Sequence, residues 1–150
     1  MRLTRAGEYA VRCVLYLARY GKGVLVSRQE IADRAEVPSH FLAKIAQQLA
    51  RLGIIEIQQG ARGGYVLLKD PGKLTMLEVI EGIIGEISLN DCVGRPDSCR
   101  NSPTCVVHQV WCTANEQLRD TLQQVTFTTL LKNEECCIVT ERSQTESTAS

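Results

Sequence analysis

The chain has 150 residues, 44% apolar and 23% charged, with 17 basic and 17 acidic side chains. That is the composition of a soluble globular protein of one domain, or of a small domain with an appendage. It contains no run of about 18 apolar residues and so excludes a membrane-spanning helix.

Arg12 and Arg19 interrupt or flank the apolar stretch near the N-terminus, Val11 to Ala18, so no secretory signal is read there and a cytoplasmic location is expected. Seven cysteines in that setting call for metal binding, redox chemistry or packing rather than a disulfide scaffold. The zero net charge is divided unevenly. Residues 1–75 carry twelve Lys/Arg and six Asp/Glu, and residues 76–150 carry five and eleven. A basic half joined to an acidic half points to a polyanionic partner on one side only.

In chain order, residues about 5–20 predict a helix with Ala10, Val11, Val14, Leu15 and Ala18 on its apolar stripe, ended by Gly21 and Gly23. Ser27 and Glu30 have the spacing of a capping box ahead of a short helix, Arg28 to Ala35. Val37-Pro38 breaks that helix. Ser39 is expected to cap the next one, which runs to about Leu52 and is closed by Gly53. Ile54 to Ile57 and Tyr65 to Leu68 read as strands around a glycine-rich loop holding Arg62.

Two short helices joined by a tight turn, then a β-hairpin, make a winged helix-turn-helix. In the second of those helices Phe41, Leu42, Ile45 and Leu49 are the expected core face. Ser39, His40, Lys44, Gln47, Gln48 and Arg51 lie opposite. These are donors and acceptors of the kind that read base edges and hold phosphates, so DNA contact is expected of them. Gly60, Gly63 and Gly64 allow positive φ or close backbone approach around Arg62, which suits insertion into a minor groove.

The acidic half opens with Thr75 and Glu78, a second capping-box spacing, before a helix from Met76 to about Ile84. Ser88 to Thr104 shows no periodicity and holds Cys92 and Cys99. Cys105 and His108 follow, the gaps being six, five and two residues. Three thiols and an imidazole suit an iron–sulfur cluster, a zinc ion or redox thiols, with plain packing as the fourth reading. The absence of a Cys-x-x-Cys pair weighs against structural zinc, and a cluster tolerates wider spacing.

Val107, Trp111, Ala114, Leu118 and Val125 then recur at four-three spacing, with Thr121 in one gap and Val110 and Leu122 widening the stripe. That pattern predicts a long helix facing a partner, and a homodimer is favoured because paired heads reach successive major grooves. Thr126 to Lys132 reads as a short last helix and residues 133–150 as a largely disordered tail. Cys13 is read as a buried apolar side chain, Cys112 as packing or a spare thiol, and Cys136 and Cys137 receive no role. The fold class is therefore mainly α with a small hairpin wing: a winged helix-turn-helix over residues 1–75, a cysteine loop and dimerisation helix over 76–132, and a tail. No Ser-His-Asp set, phosphate loop or paired-carboxylate motif is visible, so an enzyme is not expected.

Over about residues 1–132 the sequence resembles the Rrf-two family of bacterial transcription regulators, which includes the IscR, NsrR and RirA types. The resemblance is carried by Met1-Arg2-Leu3-Thr4, Tyr9-Ala10-Val11, Gly60-Ala61-Arg62-Gly63-Gly64-Tyr65, the three-cysteine loop ending in Cys105-Val106-Val107-His108, and Val110-Trp111. It implies a homodimeric winged-helix repressor or activator that binds an operator in double-stranded DNA; the residues themselves, Arg2, Ser39, His40, Lys44, Gln48, Arg51 and Arg62, are the expected DNA contacts. It also implies an iron–sulfur cluster on Cys92, Cys99 and Cys105 whose state controls DNA binding. Iron or iron–sulfur status, nitric oxide or redox stress would be the signal. His108 matches the fourth ligand of the IscR type, which binds a 2Fe–2S cluster, and Glu8 of the partner subunit matches the carboxylate of NsrR-like members. The 2Fe–2S form is favoured over 4Fe–4S, although the first cysteine gap is one residue longer than the IscR type has.

Overall fold

The computed structural model describes residues 4–134. Arg2, Cys136, Cys137 and the expected tail from residue 135 onward lie outside the described residues.

Helix α1 (Arg5–Tyr20) starts where the Thr4 hydroxyl accepts from the Gly7 amide and stops at Gly21, whose φ of 91° is open to glycine. Its fully buried positions are Ala10, Cys13, Val14 and Leu17, whereas Val11 and Leu15 are half-buried. The buried stripe is thus rotated from the expected one. The cause is packing on two sides, because α1 touches α3 (Ser39–Arg51) and the sheet as well as α4 (Met76–Ile84).

Helix α2 (Arg28–Arg34) and α4 begin with half of each expected capping box. Ser27 Oγ accepts from Glu30 N and Thr75 Oγ1 from Glu78 N, both at 3.2 Å. The reciprocal carboxylate bonds are not made. Glu30 instead accepts from the Tyr16 hydroxyl at 2.9 Å and from Tyr20, and Glu78 pairs with Lys69. An ammonium or two hydroxyls hold a carboxylate better than one neutral amide does. A further correction concerns Ser39. It is the first residue of α3 rather than its cap; Pro38 occupies the cap position, with no side-chain bond.

Leu42, Ile45 and Leu49 of α3 are buried as expected, while Phe41 is only half-buried, its ring 5.6 Å from that of Tyr9. Strands β2 (Ile55–Gln58) and β3 (Gly64–Leu67) pair antiparallel, with Gln58 opposite Gly64. Each sits one residue from its expected bounds. A third strand, β1 (Leu25–Val26), was too short to be read from sequence. It pairs with the other edge of β3, giving the order β1-β3-β2. Gly64 makes this pairing possible, since a Cβ there would stand 2.0 Å from the Val26 carbonyl oxygen. The result is the expected mainly helical fold with a small hairpin wing.

The cysteine loop is not featureless. It holds the single-turn helix α5 (Asp91–Gly94) and two 3-10 turns, Pro96–Ser98 and Ser102–Thr104, before α6 (Val106–Gln124). A second, smaller core of Leu77, Ile80 and Ile87 receives Leu118 and Leu122 from α6. That half of the four-three stripe is therefore satisfied within the chain. Val106, Val107, Val110 and Trp111, in the first turns, are exposed, Val106 at 72%.

After α6 the chain returns to the first core. Met76 N donates to Val125 O at 2.8 Å, and Phe127 is fully buried among the N-terminal helices. Residues 127–134 are helical. Asn133 and Glu134, read as the start of the tail, extend this helix because Leu130 and Leu131 pack on the core and Glu134 pairs with Arg19 at 2.8 Å.

Candidate functional site

Two groups of candidate residues lie on different elements of the chain. In the first, Ser39, His40, Lys44, Gln47, Gln48 and Arg51 are all exposed on α3, on the side away from Leu42, Ile45 and Leu49. Arg62 is exposed at the tip of the β2–β3 loop. Gly60 there has φ 103°, and a Cβ on Gly63 would stand 2.2 Å from the Gln58 carbonyl oxygen, so the loop's backbone is tied closely onto itself.

The start of α2, the start of α3 and this loop enclose an open concavity of about 320 Å³. It brings Ser27, Arg28 and Gln29 beside Ser39, Gly60 and Gly63. Sequence reasoning missed Arg28 and Gln29. Their position just after a cap residue, at the N-terminal end of the first helix of the pair, was the available signal. Arg5 is exposed as well.

In the second, Cys92 lies on α5 and is half-buried, Cys99 is exposed after the first 3-10 turn, and Cys105 stands half-buried directly before α6. His108, half-buried in the first turn of α6, lines with Cys99 a concavity of about 340 Å³. Ser102 lines it too, and its hydroxyl is buried with no hydrogen-bond partner. Among the described residues no three His, Cys, Asp or Glu side chains are gathered closely enough to hold one ion. The structure brings Cys99 and His108 to one cavity, and neither Cys92 nor Cys105 lines it. Glu8 is on α1 and is ion-paired with Arg12. Cys112, one turn beyond His108, places its sulfur 3.4 Å from His108 Nε2.

The loop is held to α6 from its leading edge. Asn115, nearly buried, accepts from Leu89 N at 3.0 Å and donates to Ile87 O at 3.2 Å. With its amide oriented by the hydrogen-bond network, Asn90 accepts from Trp111 Nε1 at 3.0 Å. The Arg119 guanidinium lies 3.0 Å from Glu81 and 3.1 Å from Glu86. Cys13, by contrast, is fully buried in the N-terminal core, and desolvation pushes its thiol up to about 12.

A family model described as "Iron-dependent Transcriptional regulator", that of the Rrf2 (Rrf-two) family, matches residues 3–133. The chain belongs to the Rrf2 family. As an Rrf2 protein it is a transcriptional regulator, and its relatives are regulators rather than enzymes. It is 27% identical over 146 residues to the HTH-type transcriptional regulator IscR of Xenorhabdus nematophila, an alignment covering 97% of this chain and 88% of that protein. Among solved structures, an IscR from T. potens superposes with a TM-score of 0.71 at 22% identity, covering 89% of this chain and 88% of the other. CymR, the global cysteine regulator of B. subtilis, does so with a TM-score of 0.73 at 21% identity, covering 89% and 98%. These two likenesses carry the fold of this Rrf2 protein alone. No described helix is long and apolar enough to cross a membrane.

Proposed function

We propose that this chain is a homodimeric, sequence-specific DNA-binding regulator working in the cytoplasm, whose affinity for double-stranded DNA is set by an iron–sulfur cluster on its cysteine loop. The observation that carries the reading is the joining of two unlike surfaces through a chain of packed helices. The exposed polar face of α3 and the Arg62 loop form one. The other is the thiol-bearing loop, tied to α6 by Asn115 and Trp111, and α6 in turn packs on α4, which touches both α1 and α3.

On the first surface, Lys44, Gln48, Ser39 and His40 would meet base edges and phosphates, and Arg51, Arg62 and Arg2 would add charge along the backbone. Arg28 joins this set from the structure. On the second, the donor set fits the group. Cys92, Cys99 and Cys105 supply soft thiolates, and His108 faces the same cavity as Cys99, where Ser102 keeps an unsatisfied hydroxyl. These four residues would hold a 2Fe–2S cluster in preference to a 4Fe–4S one. Glu8 of the partner subunit is the alternative to His108 and would have to leave Arg12. When bound, the cluster supplies a centre open to nitric oxide, oxidants and iron exchange. Asn115, Asn90 and Arg119 then pass the loop's arrangement to α4 and α6, and the placement of the two α3 helices in the dimer follows. The exposed Val106, Val107, Val110 and Trp111 would be covered by the second copy.

The test is the absorption spectrum of protein purified without oxygen, with iron and acid-labile sulfide counted per chain. Visible bands with about two irons and two sulfides support the 2Fe–2S assignment on His108. About four of each would support the cluster and move the fourth ligand to Glu8. A colourless protein holding zinc or no metal contradicts the cluster.

A further inference from the structure

We propose that the concavity between the start of α2, the start of α3 and the β2–β3 loop is an oxyanion site, which takes one phosphate group against the Tyr65 hydroxyl, the Arg28 side chain and the first amides of α3. Where that phosphate belongs to a DNA backbone, the inference rests on the DNA-binding reading; the site itself stands without it.

Tyr65 is 2% exposed, yet it lines this concavity of about 320 Å³ together with Ser27, Arg28, Ser39 and Gly63. Its ring belongs to the N-terminal core. Its hydroxyl has no hydrogen-bond partner among the described residues. Burial and the Cys13 thiol hold that hydroxyl above the ordinary tyrosine range, and the charge of Arg28 acts on it in the opposite sense. It is therefore a donor at neutral pH, and Arg28 is near enough to act on the same ligand. A hydroxyl withdrawn from water without a partner is costly, and an anion seated in the concavity would accept from it.

The second wall is the start of α3. Pro38 caps that helix without a side-chain bond, so the amides of Ser39, His40 and Phe41 have no acceptor within it. The positive end of the helix dipole lies there as well. Ser27 Oγ accepts from Glu30 N and keeps its own proton to donate. Gly60, Ala61 and Gly63 form the third wall, and their small side chains leave room for a tetrahedral anion. Among the described residues no Asp or Glu lines the concavity. Converging donors and one guanidinium, with no carboxylate, select a phosphate-type oxyanion over a cation or an apolar ligand.

A backbone phosphate of bound DNA and a free phosphate ion offer the same chemistry, and one set of variants distinguishes them. The experiment uses the full chain as wild type, Tyr65→Phe and Arg28→Ala, each shown to be folded by thermal melting. Tyr65→Phe removes one hydroxyl and keeps the ring. Calorimetry with inorganic phosphate reads the free ion. Titration of a bound DNA fragment, with single phosphates replaced in turn by neutral methylphosphonates, reads the backbone. Tyr65→Phe and Arg28→Ala should each weaken DNA binding about 10-fold. Only Arg28→Ala should lower the slope of log affinity against log salt, by about 1. At one methylphosphonate position neither variant should add a further loss. If phosphate ion binds wild type and neither variant, and no methylphosphonate position shows this coupling, the site stands with a free anion as its ligand. If no position is coupled to Tyr65 and phosphate ion binds wild type no better than Tyr65→Phe, the oxyanion site is overturned and the DNA-binding reading stands on its other residues. A chain that binds no DNA overturns the DNA-binding reading, and calorimetry alone then decides the site.

Discussion

Asn115 joins the long helix to the backbone on either side of Ser88, accepting from Leu89 N at 3.0 Å and donating to Ile87 O at 3.2 Å. A buried amide that serves one donor and one acceptor of the same strand of loop fixes both its path and its distance from α6. Asn115→Ala leaves those two backbone groups unpaired, and the unfolding free energy should fall by about 1–3 kcal/mol. Denaturant unfolding measures the loss. The same variant should bind DNA with a smaller difference between iron-loaded and iron-free protein, because the loop no longer reports to the helix. An unchanged ratio would show that Asn115 is structural only.

The proposed DNA surface predicts two distinguishable losses. Lys44→Ala and Arg62→Ala should each weaken binding, and removing a side chain that neutralises a phosphate should reduce the slope of log affinity against log salt by about 1. If Arg62 enters a minor groove, its variant should also lose preference for A·T-rich flanks. Titrations at several salt concentrations separate these outcomes. Affinity and sequence preference that survive both changes would place the interface elsewhere.

Gly64→Ala tests the wing itself. The new methyl would meet the Val26 carbonyl oxygen at 2.0 Å, so β1 must leave β3. The expected outcome is a markedly destabilised domain and loss of DNA binding, read by melting and by titration. Gly60→Ala meets no neighbouring atom but sits at φ 103°, so it should cost less, on the order of 1 kcal/mol. Equal tolerance of both would contradict the packing of β1.

Cys13 gives a pH and reactivity prediction. Its thiol is raised by burial from an ordinary 9.0 to about 12, so it stays protonated and unreactive in the folded chain. A group whose folded value is raised contributes stability below its unfolded value and loses it as the pH climbs through the folded one. Stability should therefore decline from about pH 9 upward, and Cys13→Ala should flatten that decline. Alkylation followed by peptide mapping should modify Cys99 before Cys13, since Cys99 is exposed. Rapid labelling of Cys13 in native protein would contradict its burial.

Much of the fold was legible because its signals are local. The helix ends at Gly21 and Gly53, the caps at Ser27 and Thr75, and the buried Leu42, Ile45 and Leu49 of α3 follow from the side chains of a few neighbouring residues. What escaped was non-local. The strand Leu25–Val26 exists only because Gly64, far along the chain, lets it approach. Glu30 and Glu78 left their capping boxes for Tyr16, Tyr20 and Lys69, partners that only the tertiary structure brings near. The repeat along α6 could not show that Leu118 and Leu122 serve the chain's own core while Val106 and Val110 stay exposed. For the site, spacing singled out three thiols and His108, but the approach of His108 to Cys112 needed helix geometry and Arg28 needed the concavity it lines.

If the metal centre on the loop governs DNA binding, genomic-fragment selection under anaerobic conditions will show it. Iron-loaded protein and the same preparation after chelation are each mixed with sheared DNA, and the bound fragments are titrated. The expected result is a defined set of sites whose affinity changes by about 5–150-fold between the two preparations. Equal affinity for the same fragments, with iron and without, would contradict it.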